Sequence, residues 1–160
     1  MRATIVCATA LWAIVEILKR RRPNVIEPAR QLWTGAVLLA IVHATAAFET
    51  VYGWSHQTAL VATARQTELQ TGLAWGGGLY VNYAFLTIWA ADAMWWWLSP
   101  ASYLMRDARL ERARLALFTF MFVNGAIVFA GGIARGVGIV AVGSVCAAWA
   151  FGERRSFRHA

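Results

Sequence analysis

The sequence predicts an all-α integral membrane protein, a bundle of five transmembrane helices with a short outer-side helix between the second and third spans. One observation is the composition, 59% hydrophobic and 14% charged, because soluble domains have about a quarter of their residues charged. The other is that arginine and lysine gather in alternate gaps between apolar blocks, the positive-inside pattern of polytopic proteins. We expect residues 1–160 to form one transmembrane domain.

The cation-rich gaps follow the first, third and last apolar blocks. Their members are Lys19, Arg20, Arg21, Arg22, Arg30, Arg106, Arg109, Arg112, Arg114, Arg154, Arg155 and Arg158. The other two gaps carry Arg65 and Arg135. This predicts an N-terminus outside and a C-terminus in the cytoplasm. Fourteen arginines against one lysine suit a GC-rich bacterial gene, so we expect the bacterial inner membrane. Because the cations lie at helix ends and meet lipid headgroups, we expect no nucleic-acid partner despite the net charge of +7.

A bilayer core of about 30 Å requires around 20 helical residues. The predicted spans are residues 3–18, 32–54, 73–98, 115–131 and 136–151. Tryptophans bracket two of them, Trp33 with Trp54 and Trp75 with Trp96, each pair 21 residues apart. That separation is about 31 Å along a helix, so we interpret the four as aromatic belts. Pro100 then ends the third span.

The first span is short and carries Glu16 near its inner end. Lys19 and Arg20 follow at i+3 and i+4, which predicts interfacial anchoring. We read the segment as a retained span, because it lacks the features of a cleavable signal. The apolar stretch 115–151 is too long for one crossing, and glycines at 131–136 divide it in two. The alternative, one kinked helix, would leave Arg135 in the bilayer.

Two connecting helices are predicted. On the outer side, Ser55 caps a helix running to about Gln70 and closed by Gly72. On the inner side, residues 102–114 form a charged connector helix.

Polar groups at membrane depth are functional candidates. The relay candidates are His43, Glu49, His56, Tyr80, Asn82, Tyr83 and Asn124. Because His43 shares a helical face with alanines, we expect it to lie at a helix contact. There it either bonds Asn82 or Asn124 as packing, or acts as a ligand or proton carrier.

Glu49 supports two interpretations. It begins a proton or cation path towards His56, or it is neutral or paired with Arg65 or Arg135 at the outer rim. Tyr80 and Tyr83 lie near the depth of Glu49 and are expected to supply hydroxyls to it. Gly76, Gly77 and Gly78 either permit close backbone approach or loosen the helix end.

On the inner side we predict a salt bridge between Asp92 and Arg106, Arg109 or Arg30, with Arg106 the named candidate. Trp95, Trp96 and Trp97 form an interfacial girdle rather than a ligand cage. Cys7 and Cys146 lie near opposite faces and are expected to be unbridged.

A cofactor is not expected, although haem or a metal stays open. His43 and His56 are about 20 Å apart along a helix, too far to grip one ion. His159 belongs to the opposite side. Only His43 paired with its mate across a two-fold dimer could hold a haem.

No catalytic signature appears, so the sequence gives no positive reason to name an enzymatic activity. The leading hypothesis is an accessory or interaction subunit of a membrane assembly, in contact with lipid and with its own copies or other subunits. The alternative is a transporter or proton-conducting module using His43, Glu49 and His56, with Arg135 as outer gate. The third is a haem- or metal-binding membrane redox protein.

Overall fold

The computed structural model describes residues 2–21 and 26–151, which are helical throughout apart from short turns. The α-helices are α1 (Arg2–Arg21), α2 (Ile26–Thr50), α3 (His56–Thr71), α4 (Gly78–Leu98), α5 (Pro100–Leu104), α6 (Ala108–Val123) and α7 (Gly132–Phe151), and a π-helical segment, Asn124–Val128, extends α6. No strand occurs within the described residues, so the all-α prediction is confirmed. Arg22, His159 and the last cation cluster, Arg154, Arg155 and Arg158, lie outside them.

Two helices, α2 and α7, are long and apolar enough to cross a membrane. Only 22% of the most apolar stretch of α2 and 28% of that of α7 are buried within the protein. An apolar helix in a soluble core would be mostly covered, so these open faces support membrane association. Charged residues in α1 and the many aromatic and polar residues of α4 make those helices less uniformly apolar. Length and composition therefore establish two candidate spans rather than five.

The core is built around α1, which packs along α2 and against α7, while α2 also contacts α4. Aromatic rings fill the space between these helices and α6. Trp12 stacks on Phe122 with ring centroids 4.3 Å apart, and Phe118 lies 5.3 Å from Trp89 and 5.2 Å from Trp33. Off-parallel ring pairs at such distances add stabilisation beyond the buried area. The aromatic core thus holds α2, α4 and α6 in a fixed relation.

The helix predicted between Ser55 and Gly72 is observed as α3. Ser55 adopts an extended conformation, and its hydroxyl accepts a hydrogen bond from the Thr58 amide at 3.2 Å. Gly72 ends the helix with a φ of 78°, a conformation that glycine adopts without strain. Both ends of α3 are therefore set by the residues predicted to set them.

The predicted inner connector helix over 102–114 is wrong. α5 ends at Leu104, and Asp107 caps a new helix by accepting a hydrogen bond from the Arg109 amide at 2.7 Å. The charged half of the predicted connector and the start of the predicted fourth span form one helix, α6, because this cap begins it at Ala108. Arg114 consequently lies within α6 and faces the other helices.

The predicted division of residues 115–151 is confirmed, and the single kinked helix is wrong. The π-helical segment ends at Val128, and α7 begins at Gly132, whose φ is 59°. The break covers 129–131, slightly before the predicted glycines. Gly138 then lets α7 approach the π-helical segment, because a Cβ there would lie 2.4 Å from the Ala126 carbonyl oxygen.

α4 begins at Gly78, five residues after the predicted start of the third span. A Cβ at Gly76 would lie 2.8 Å from the Leu60 carbonyl oxygen, so the glycines permit the close backbone approach that was one of their two interpretations. The belt interpretation is wrong for two of the four tryptophans and stays a prediction for the other two. Trp54 and Trp75 are 63% and 55% exposed, whereas Trp33 and Trp96 are fully buried. The inner pair belongs to the core because both rings lie against the charged cluster described next.

Candidate functional site

A buried cluster of charged side chains joins α1 to α6 at the predicted inner end of the bundle. Arg114 lies at its centre, with its side chain 5% exposed. Its Nη1 is 2.8 Å from Oε1 of Glu16, a fully buried carboxylate, and its Nη2 donates to Glu111 Oε1 at 2.9 Å. A guanidinium offers five donors in a planar fork, which suits it to two carboxylates at once. This pairing ties residue 16 to residue 114.

Two further cations complete the cluster. The Lys19 ammonium lies 3.2 Å from Glu111 Oε1 and 3.9 Å from Glu16 Oε1. Arg106 donates to Glu111 Oε2 through Nε and Nη2. These cations override the effect of burial, which alone would raise the pKa of Glu111, and hold that pKa well below its usual range. Glu111 is therefore a stable anion at the centre of three cations.

Aromatic rings enclose the ammonium of Lys19. Its Nζ lies 5.9 Å from the ring centre of Trp33 and 5.6 Å from those of Trp96 and Tyr103. Arg106 stacks over Tyr103 at 3.9 Å. Ring faces attract cations at these distances, more strongly where water is excluded. Trp96 was predicted to belong to an interfacial girdle; instead it helps form a cage that the protein's own lysine occupies.

The predicted salt bridge between Asp92 and Arg106 is wrong. Arg106 pairs with Glu111, and Asp92 Oδ2 instead accepts a hydrogen bond from the Tyr103 hydroxyl at 2.9 Å. Burial first, and then the charge of Asp92, raise the pKa of Tyr103 far above its usual value. The hydroxyl thus stays protonated and serves as a donor. The predicted anchoring by Glu16 also needs correction, because its carboxylate is buried in the cluster.

A partly open groove of about 330 Å³ adjoins the cluster between α4 and α6. Its lining is Ile88, Ala91, Asp92, Trp95, Arg106, Leu110, Ala113, Arg114 and Leu117. Most of this surface is aliphatic or aromatic, with one carboxylate and two guanidinium groups among it. The groove therefore offers both an apolar wall and charges of both signs.

Some of the predicted relay candidates contact one another. His56, at the start of α3, lies between two hydroxyls of α4: Nε2 is 3.2 Å from Tyr80 Oη and Nδ1 is 3.3 Å from Tyr83 Oη. The prediction that the tyrosines supply hydroxyls to Glu49 is therefore wrong, because both hydroxyls lie against His56. Glu49 itself is exposed. Since the two hydroxyls lie against different ring nitrogens, the trio is suited to hydrogen bonding between α3 and α4.

His43 occupies a helix contact, as predicted, but its partner differs. Its Nδ1 is 3.2 Å from the Thr4 hydroxyl of α1, rather than near Asn82 or Asn124. Ala36 and Ala40 on the same face are buried. Because α1 packs along α2, the small-residue face that a haem-binding dimer would need is covered within the chain.

The remaining candidates form local contacts. Asn124 donates to the Phe120 carbonyl at 2.8 Å, and Asn82 is exposed. Arg135 was predicted to act as an outer gate or ion pair, but its Nε donates to the carbonyl oxygens of Ala130 and Ile127, at 2.9 and 3.0 Å. It thus closes the turn before α7. Within residues 2–21 and 26–151, no three His, Cys, Asp or Glu side chains gather as a metal site.

The chain matches no known protein family, no curated protein and no solved structure. Its site must therefore be interpreted from geometry. Sequence patterns identified Asp92 and Arg106 but missed the pairing of Glu16 with Arg114. The one available signal was that each is the charge of its group that lies nearest to the adjoining apolar segment.

Proposed function

We propose that this chain is a five-span protein of a bacterial inner membrane that serves as an accessory or interaction subunit of a membrane assembly. The main support is the distribution of its charges. The ionisable groups buried deepest, Glu16 and Arg114, neutralise one another, while α2 and α7 present open apolar faces. Buried pairs of this kind fix helix positions, and uncovered apolar faces meet lipid or other helices.

The conducting alternative has less support. His43 bonds Thr4 and His56 bonds two tyrosines, and neither contact leads to Glu49. Proton transfer needs donors and acceptors within hydrogen-bond reach or bridged by water. The sequence pattern therefore favours a relay more than the geometry does.

Association is tested by photo-crosslinking from adjacent exposed and buried positions. A diazirine-bearing aliphatic residue is placed at Leu38, Met94 or Val140, which are 56%, 58% and 69% exposed. We expect at least one of these to give a crosslinked protein product in native membranes, because an interaction subunit must bury part of its apolar surface. Crosslinked products are separated by electrophoresis and identified by mass spectrometry.

Each exposed position has a buried neighbour as its control. Val37, Ala93 and Ala141 are 4%, 6% and 6% exposed, so a diazirine there should react within the chain. If the exposed positions yield lipid adducts alone, and the extracted protein is a monomer, the subunit hypothesis fails.

The five-span arrangement is tested by cysteine labelling. In a variant whose Cys7 and Cys146 are replaced by alanine, single cysteines are placed at Gln70, Ala108 or Gly131, all exposed. We expect an impermeant maleimide to label positions 70 and 131 on intact spheroplasts and position 108 only after permeabilisation. The reversed pattern would contradict the orientation. Labelling of all three from one side would contradict the crossings by α4 and α6.

A further inference from the structure

The groove between α4 and α6 has the features of an amphiphile site. Ile88 and Ala91 line it from α4, and Leu110 and Leu117 from α6. Its volume of about 330 Å³ lies at the lower end of the range for ligand cavities. An apolar chain lying along these side chains would fill it.

The buried and half-buried charges beside the groove sum to zero, and the exposed Arg109 is left out of this sum because solvent reaches it. Lys19, Arg106 and Arg114 supply three cations, and Glu16, Glu111 and Asp92 supply three carboxylates, which formally balance. Adding an anion or a cation would leave a net charge at a partly buried position, which is unfavourable. A ligand that carries one charge of each sign keeps the balance.

An acidic and a basic side chain of the groove both have hydrogen-bonding atoms left for such a ligand. Asp92 uses Oδ2 to accept from Tyr103, which leaves Oδ1 as an acceptor for another donor. Arg106 has five N–H donors, of which three bond Glu111 and the Tyr103 carbonyl. Two donors are left for a phosphate oxygen. Arg109 is exposed and lies one turn before Ala113, at the edge of the groove.

We propose that this groove binds one phospholipid whose headgroup carries a phosphate and a primary ammonium, as in the ethanolamine type. The ammonium donates to Asp92, the phosphate accepts from Arg106 and Arg109, and one acyl chain lies along the apolar wall. This site rests on the membrane location in the proposed function. A quaternary ammonium has no N–H to donate to Asp92, so choline lipids bind less well, and glycerol lipids lack the cation.

The test measures lipid binding to the purified full-length protein by native mass spectrometry. The probes are phosphatidylethanolamine, phosphatidylcholine and phosphatidylglycerol with identical acyl chains. We expect the ethanolamine lipid to bind about tenfold more tightly than either of the others, since a polar bond at membrane depth contributes about 1–2 kcal/mol. D92N should abolish the preference over phosphatidylcholine, because it weakens binding of the N–H-donating ethanolamine lipid more than binding of the choline lipid.

Three variants separate recognition from loss of fold. D107N makes the same chemical change at a helix cap outside the groove and should retain the preference, because asparagine also caps helices. Y103F removes the hydroxyl that bonds Asp92 but leaves the Asp92 carboxylate in place, so it should also retain the preference for the ethanolamine lipid. L117W should reduce binding of all three lipids by filling the groove.

Equal binding of the ethanolamine and choline lipids would overturn the proposal, as would a preference for the glycerol lipid or an undiminished preference in D92N. Loss of preference in D107N would overturn it too. Binding is counted per chain and is independent of oligomer size. A monomer that selects the ethanolamine lipid and gives no protein crosslinks therefore contradicts the subunit hypothesis alone. A chain that crosslinks to protein but shows no lipid selectivity contradicts the lipid site alone.

Discussion

Replacing Arg114 with leucine is expected to destabilise the helix bundle by about 3–5 kcal/mol, the typical effect of removing one partner of a buried ion pair. The variant leaves the Glu16 carboxylate fully buried, with its 2.8 Å partner gone. Lys19 is the next cation, at 3.9 Å. Thermal unfolding in mild detergent should show the midpoint lowered by about 10 °C or more.

The matched control lies two residues earlier on the same helix. Arg112 is exposed, and its Nε donates to the Ala108 carbonyl, so replacing it with leucine should change stability by less than about 0.5 kcal/mol. Equal effects at 112 and 114 would show that Arg114 is not buried in the cluster.

A second substitution separates charge from packing. In the double variant E16M/R114L, both members of the pair become apolar, and Glu111 keeps Lys19 and Arg106 as partners. We expect most of the lost stability to return, because well-packed apolar replacements of buried ion pairs are often neutral or better. A double variant as unstable as the single one would mean that the guanidinium acts through shape alone.

Local rules predicted much of the fold. Ser55 and Gly72 set the ends of α3, and the glycines near 132 separate α6 from α7, because caps and backbone freedom depend on adjacent residues. The inner connector was wrong for a related reason. Aspartate caps a helix as effectively as serine, so the sequence alone does not choose between Ser102 and Asp107 as the first residue. The turn after α5 places Asp107 where its side chain accepts the capping hydrogen bond.

The candidate site could be predicted only in part, because its pairing joins distant positions. Glu16 and Arg114 are 98 residues apart, and a charge at the edge of an apolar segment fits interfacial anchoring equally well until the helices are placed. Asp92 was predicted to pair with a cation such as Arg106. The two residues line the same groove, but the Asp92 carboxylate accepts a hydrogen bond from Tyr103 instead. The i+3 spacing in the sequence predicts Lys19 as the ion-pair partner of Glu16, whereas Arg114 becomes a partner only through the packing of α1 against α6.

The same limit applies to tryptophan, whose ring suits both a membrane interface and a core. Trp33 and Trp54 bracket one predicted span and are equivalent in sequence pattern. In the structure Trp33 is fully buried, with ring centroids 5.5 Å from Trp89 and 5.2 Å from Phe118. Its partner Trp54 is 63% exposed. The two positions should therefore differ sharply in their contribution to stability.

Replacing Trp33 with alanine is expected to destabilise the protein by about 3–5 kcal/mol, through the cavity it leaves and the lost contacts with cations. The Arg114 guanidinium lies 5.3 Å from the Trp33 ring centre, so the variant also removes a wall of the charged cluster. Thermal unfolding in the same detergent, with Trp54→Ala alongside, measures the difference. An exposed ring contributes little packing, so Trp54→Ala should shift the midpoint only slightly. Equal shifts would mean that both tryptophans serve as interfacial anchors, and would remove Trp33 from the cage around Lys19.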